Sequence, residues 1–189
     1  MSKKVIIVIV AAVLLLTAIP AFAATPSKTT KDLTRIVSVV EQDGTKHNDL
    51  ITIQDVPTEF GQSVIDGLLA YKTKNTDIVS YFNTEVKTQI QALLPQNTST
   101  NGMVISELCS LCCGDHNHDH GLVTCEIEFP TLYTEKNLVV PLLAYPKADG
   151  TTAWLPVKGE VKNGHVVIDF TEEVLSLVGH DFVLAILSK

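Results

Sequence analysis

The chain has 189 residues, with 21 Asp and Glu against 14 Lys and Arg and a formal net charge of −7 at pH 7. Nucleic acids and anionic membranes bind basic surfaces, so this acidic balance argues against both as partners. The length suits one domain, or two small lobes, with a hydrophobic core of its own.

The first 23 residues predict a cleavable signal peptide. Two lysines precede an apolar run from Val5 to Ile19, which is followed by Pro20 and an Ala-Phe-Ala tripeptide ending at Ala23. A membrane-spanning helix needs roughly 20 predominantly apolar residues, and this run is shorter. We therefore expect cleavage after Ala23, no membrane anchor in the mature protein, and secretion to an extracellular location.

The segment from residue 24 to residue 95 predicts a disordered lead-in and then a small α+β lobe. Residues 24–33 are rich in Thr, Lys and Ser without an apolar period. Residues 35–42 and 49–56 are β-branched and are joined across Asp43-Gly44, which predicts a hairpin with a long loop. Between Thr58 and Leu94 the apolar period becomes helical and predicts two helices, the second capped by Thr76. The lobe would span residues 34–95, and the polar residues 96–102 would separate it from the next.

Residues 103–189 predict a second lobe, rich in β-strands. Asn163-Gly164 is the dipeptide that a two-residue type I′ hairpin requires, and a turn centred there pairs Val161 with Val166. Pairing would then continue along the strands, from Gly159 with Ile168 to Val157 with Phe170.

A second turn extends this hairpin into a predicted three-stranded meander. A two-residue turn at Asp149-Gly150 pairs Tyr145 with Trp154. With both turns in place, one apolar face would run across all three strands.

The rest of this lobe is predicted from helix-capping residues and from the alternation of apolar and polar residues along strands. Thr171 can cap a short helix that Gly179 ends, and residues 181–188 are a continuously apolar strand, which suggests burial on both faces. Residues 123–129 alternate as a half-buried strand, and residues 104–111 are its expected partner. The lobe would be mainly antiparallel and six-stranded, as a sandwich or a curled sheet, in an α+β protein.

The candidate chemistry lies in one short segment. Residues 109–125 hold all four cysteines and three of the six histidines. Cys-x-x-Cys followed by a glycine resembles the knuckle of a zinc ribbon, and imidazole or thiolate groups could complete a tetrahedron. Zinc is the favoured ion, with copper or nickel as alternatives through the histidines. The candidate ligands are Cys109, Cys112, Cys113, His116, His118, His120 and Cys125.

Two other interpretations of the cysteines stay open. Export favours disulfides, and a hairpin centred at Asn117 would place Cys109 opposite Cys125, as a disulfide between them would require. Alternatively, the thiols are buried or free and have no chemical role.

Function is constrained mainly by the catalytic motifs that the sequence lacks. It has no G-x-S-x-G, H-E-x-x-H, P-loop or G-x-G-x-x-G motif, and no nucleophile with an evident base. We therefore favour a secreted or cell-surface binding or structural protein over an enzyme, with a protein or the cell surface as its partner. The alternative is a protein that sequesters or senses zinc or copper through the Cys/His segment.

Overall fold

The computed structural model describes residues 34–114 and 121–189. The predicted signal peptide and lead-in lie outside the described residues, and so do His116, His118 and His120.

Nine strands and three α-helices make up the described part of the chain. In chain order they are β1 Arg35–Glu41, β2 Ile51–Ile53, α1 Glu59–Lys72, α2 Thr84–Leu93, β3 Val104–Cys113, β4 Leu122–Glu128, β5 Val139–Pro146, β6 Thr152–Pro156, β7 Gly159–Lys162, β8 His165–Thr171, α3 Glu172–Val178 and β9 Asp181–Ser188, with a 3₁₀ helix at Ile78–Tyr81 before α2. All strand pairs are antiparallel. The predicted α+β class is thereby confirmed. Within the described residues no helix is both long enough and apolar enough to cross a membrane.

The strands form two sheets that pack face to face as a sandwich. The outer sheet has the order β1-β4-β8-β7, and the middle sheet has the order β2-β3-β9-β5-β6. One hydrophobic core lies between the two sheets. A second core lies between the middle sheet and a helical layer made of α1, the 3₁₀ helix and α2. The outer face of the outer sheet carries no helix from this layer.

Strand β9 shows how the sequence specifies this layering. Phe182 and Leu184 contribute to the core between the sheets, whereas Val183 and Ala185 contribute to the core beneath the helices. A central strand with both faces covered must be apolar throughout, so the predicted two-sided burial of residues 181–188 is confirmed.

Two predicted strand pairings are wrong, and both errors have the same cause. Strands β1 and β2 lie in different sheets, and so do β3 and β4. Strand β3 pairs with β2 and β9, and β4 pairs with β1 and β8. In each case the connection carries the chain from one sheet to the other. For the second pair the burial patterns agree with this, because β4 has one polar face and suits the outer sheet, whereas β3 is buried along most of its length and suits the middle sheet. The segments 34–95 and 103–189 contribute strands to both sheets.

The predicted meander is correct at one turn and wrong at the other. Asn163 and Gly164 both have positive φ, 51° and 85°, and Val161 pairs with Val166 as expected. At the second turn only Gly150 has a positive φ, so the loop is longer than a two-residue turn and Tyr145 pairs with Ala153, one residue from the predicted partner.

The second meander strand is also divided. It breaks after Pro156, so β6 belongs to the middle sheet and β7 to the outer sheet. Seven strands therefore follow residue 103 instead of six, and the predicted single apolar face does not exist.

The helix ends agree with the capping chemistry, with one correction. Thr171 caps α3 through Val174 N, and Gly179 ends it with φ 67°, as predicted. The second predicted helix is instead a 3₁₀ turn followed by α2. Their N-caps are Asp77 and Asn83, whose short polar side chains accept backbone N–H groups, and Thr76 is not the cap.

Candidate functional site

Three of the four cysteines are core residues of the sandwich. Cys109 and Cys113 lie on the inward face of β3, and Cys125 lies on the inward face of β4, so all three belong to the hydrophobic core between the sheets. Cys113 and Cys125 are fully buried, and Cys109 is 7% exposed. Side chains point alternately to the two faces of a strand, and each of these three thiols takes the place of an apolar residue on an inward face.

Burial keeps these three thiols protonated. It raises the pKa of Cys113 and of Cys125 to about 12, and it raises that of Cys109 as well. Neighbouring groups add to the effect: Glu107 and Cys125 raise the pKa of Cys109, and Cys113 raises that of Cys125. Since the thiolate is the form that binds metals and attacks electrophiles, the three side chains behave here as small apolar groups.

Cys112 differs from the other three. It lies on the opposite face of β3 and is only partly buried, and its thiol is 3.7 Å from the carbonyl oxygen of Cys113. It is therefore the most accessible of the four cysteines.

The four sulfurs do not surround one position. Cys109 and Cys112 point to opposite sides of a continuous strand, an arrangement in which they cannot face one ion as a zinc knuckle requires. Cys109 and Cys113 share a face, but four residues of extended strand separate them by about 13 Å. Within residues 34–114 and 121–189 no three His, Cys, Asp or Glu side chains form a group that could hold a metal ion.

The hairpin that would have placed Cys109 opposite Cys125 is wrong, because the two residues lie in different sheets. Cys109 pairs with Leu184, and Cys125 lies between Val39 and Ile168. All four cysteines fall within the described residues, and all four are free thiols.

The end of β3, where residues 115–120 begin, is held by hydrogen bonds to two other segments. Cys113 N donates to the carbonyl oxygen of His180 at 2.7 Å, and Gly114 N donates to that of Leu50 at 2.8 Å. A Cβ on Gly114 would lie 3.3 Å from the carbonyl oxygen of Asp49, which explains the glycine. His180 Nδ1 lies 3.1 Å from the carbonyl oxygen of Cys113. The strand end is thus held firmly where residues 115–120 begin.

The outer face of the outer sheet carries a polar network that we did not predict from the sequence. Glu126 lies at its centre: its Oε1 is 2.6 Å from His165 Nδ1, and its Oε2 accepts from Ser38 Oγ at 3.3 Å. Beside it, Thr124 Oγ1 donates to Asp169 Oδ1 at 2.8 Å.

Two further ion pairs flank this network. Arg35 Nε pairs with Glu128, and Lys162 Nζ lies 2.5 Å from Glu160 Oε1. The alternation of residues 122–128 places the carboxylates of Glu126 and Glu128 outward, but their partners come from β1 and β8, so only the sheet order reveals the network. We name this surface, made of the outward side chains of the outer sheet, the open face.

A buried carboxylate fixes the loop after β4. Glu107, 4% exposed, follows an irregularity in β3 and accepts hydrogen bonds from Thr131 N, at 3.2 Å, and from the Thr131 hydroxyl. Nearby, the Tyr133 and Ser106 hydroxyls are 2.6 Å apart, and burial raises the pKa of Tyr133. Each polar group here has a partner within the protein, so the cluster serves to anchor the loop.

In the described part of the chain, the fold and these sites define an α+β protein built as a two-sheet sandwich with the helical layer on one side, a polar face on the other, and a thiol-rich interior. Comparisons with protein-family models, with curated proteins and with solved structures find nothing that matches this chain.

Proposed function

We propose that the mature protein is a secreted or cell-surface binding module that contacts a protein partner through the open face. The observation that carries this proposal is the hydrogen-bonded array around Glu126. A surface whose polar side chains are already held in place loses little conformational entropy when a partner covers it. The helical layer lies on the far side of the middle sheet, so among the described residues no helix of that layer covers the open face.

The charges of the open face indicate the kind of partner. Four carboxylates, on Glu126, Glu128, Glu160 and Asp169, outnumber the two basic side chains of the flanking ion pairs. Complementary potentials accelerate association and select partners, so the partner surface should be basic. Binding should weaken as salt rises, since exposed charges are screened within about 10 Å at 0.1 M ionic strength.

The test uses intact cells of the source organism and labelled protein that begins at residue 24. The double variant Glu126→Gln/Asp169→Asn removes two charges from the open face and keeps its shape. The matched control, Glu85→Gln/Asp66→Asn, removes two charges from the helical layer. We expect at least tenfold weaker binding for the first variant and no change for the second. Equal binding by both variants would contradict the proposal.

Export is tested separately, on the native protein. N-terminal sequencing of material recovered from the medium or the cell surface should begin at Ala24. A protein found only inside the cell with residues 1–23 attached would contradict export, whatever the binding assay shows.

Metal binding is the second candidate function, and the accessibility of Cys112 favours it. Its half-buried thiol lies two residues before Gly114, next to the segment that contains His116, His118 and His120. Elemental analysis combined with thiol counting on the leaderless protein tests this candidate. One equivalent of zinc, copper or nickel that a chelator releases, and that Cys112→Ser or the triple His→Ala variant abolishes, supports it. Absence of zinc, copper and nickel after growth and purification with each ion added removes it.

A further inference from the structure

A cleft of about 580 Å³ lies in the helical layer, on the side of the molecule away from the open face. It is formed by the 3₁₀ helix, the adjacent side of α2 and residue 100. Small-molecule sites typically measure about 300–1,000 Å³, so the cleft can accommodate a monosaccharide-sized ligand. Its polar lining includes Ser80, Thr84, Lys87, Thr88, Gln91 and Thr100.

Several hydroxyl and amide groups that line the cleft already donate hydrogen bonds to other groups of the protein. The Ser80 hydroxyl donates to Asp77 Oδ2 at 2.5 Å, and the Thr88 hydroxyl donates to the carbonyl oxygen of Thr84 at 2.9 Å. One N–H of the Gln91 amide donates to the carbonyl oxygen of Thr98 at 2.7 Å. A hydroxyl or amide oxygen in this state keeps lone pairs for a ligand. The oxygens of Ser80, Thr88 and Gln91 thus offer acceptors, which suit a ligand that carries several O–H donors.

Two charged side chains line the cleft, Asp77 and Lys87. The Asp77 carboxylate is engaged on both oxygens, by Val79 N at 3.1 Å and by the Ser80 hydroxyl. Lys87 is half-buried, and in the described part of the chain no carboxylate forms an ion pair with it. Its ammonium group therefore supplies donors and a positive charge for a carboxylate.

From this combination we infer that the cleft binds an acidic monosaccharide, a polyhydroxylated ring with one carboxylate, of the uronic acid class. The ring hydroxyls donate to Ser80, Thr88 and Gln91, and the carboxylate pairs with Lys87. The inference goes beyond the proposed protein-binding role, because it concerns a different surface and a different kind of ligand. The two can therefore fail independently.

Isothermal titration calorimetry and NMR titration with D-galacturonate and D-glucuronate test the inference. We expect binding with a Kd of about 1 mM or below, and no comparable binding of D-galactose or acetate, because each carries only half of the required groups. Lys87→Met should weaken uronate binding at least tenfold, and Gln91→Leu should weaken it severalfold.

The matched control is Lys74→Met, which removes an exposed lysine outside the cleft lining. Circular dichroism and thermal melting show whether each variant is folded, and Gln91→Leu provides a second test if Lys87→Met is not. Three results would overturn the inference: no uronate binding up to about 20 mM, equal binding of galactose or acetate, or wild-type binding by the folded Lys87→Met variant.

Discussion

Replacing Cys125 by alanine and by serine distinguishes a core thiol from a bonded one. The side chain is fully buried between the sheets among apolar neighbours. If the Cys125 side chain acts as a small apolar group, the two variants should differ in their free energy of unfolding. Serine introduces a hydroxyl into an apolar core, and alanine does not. If the sulfur were part of a disulfide or a metal site, both replacements would remove the same bond and would lower the free energy of unfolding by about the same amount.

The expected magnitudes follow from burial. Alanine removes one heavy atom; lost transfer free energy of about 0.8 kcal/mol and a cavity on the order of 30 Å³ together cost about 1.5 kcal/mol. Serine nearly keeps the volume but buries a hydroxyl, which costs about 1–3 kcal/mol if it finds no partner, in addition to the lost apolar transfer. We therefore expect Cys125→Ser to be about 1–2 kcal/mol less stable than Cys125→Ala.

Urea denaturation followed by circular dichroism measures these differences. Cys112→Ala and Cys112→Ser are the matched controls, since that side chain is only partly buried and both should stay within about 0.5 kcal/mol of wild type. Equal losses for the two Cys125 variants, or a Cys125→Ser variant as stable as Cys112→Ser, would refute the core assignment.

Three further substitutions test how the sandwich is held together. Gly159→Ala would place a Cβ 2.5 Å from Pro141 Cγ of the facing sheet, so we expect a loss of about 1–3 kcal/mol in urea denaturation. Glu107→Ala leaves the Thr131 donors unpaired and should cost about 1–3 kcal/mol while increasing proteolysis of the following loop; unchanged proteolysis would contradict the anchoring role. Gly164→Ala strains a turn residue with φ 85° and should cost about 1 kcal/mol, measured by the thermal midpoint.

The elements of this fold could be predicted from local patterns, whereas the strand pairing could not. Asn163-Gly164, the Thr171 cap and the apolar run at 181–188 each encode structure within a few residues, and all three predictions are confirmed. Consecutive strands pair in most folds, which is why β3 and β4 were expected to form a hairpin. Whether a connection turns within a sheet or crosses to the facing sheet depends on how both cores close, and no short pattern contains that information.

The candidate site likewise has features that could be predicted from the sequence and features that could not. Alternation alone indicates that Cys109 and Cys113 share a face of β3 and that Cys112 does not, so the dispersal of the sulfurs could have been recognised from the sequence. The burial of Cys109 and Cys113 follows from the two-sheet arrangement, so it could not have been recognised from the sequence. The network around Glu126 depends on three strands that are distant in the chain, and the sequence shows only its carboxylates.

Counting the reactive thiols of the native protein tests most directly whether three cysteines are core residues and one is accessible. At pH 8 a thiol of pKa about 12 is roughly 0.01% thiolate, and Cys113 and Cys125 are also fully buried, so both should react with a thiol reagent far more slowly than the partly buried Cys112. Mass spectrometry should show one rapid adduct on the native protein and four in denaturant. Rapid labelling of several cysteines, or fewer than four thiols after unfolding without reductant, would contradict the structure described.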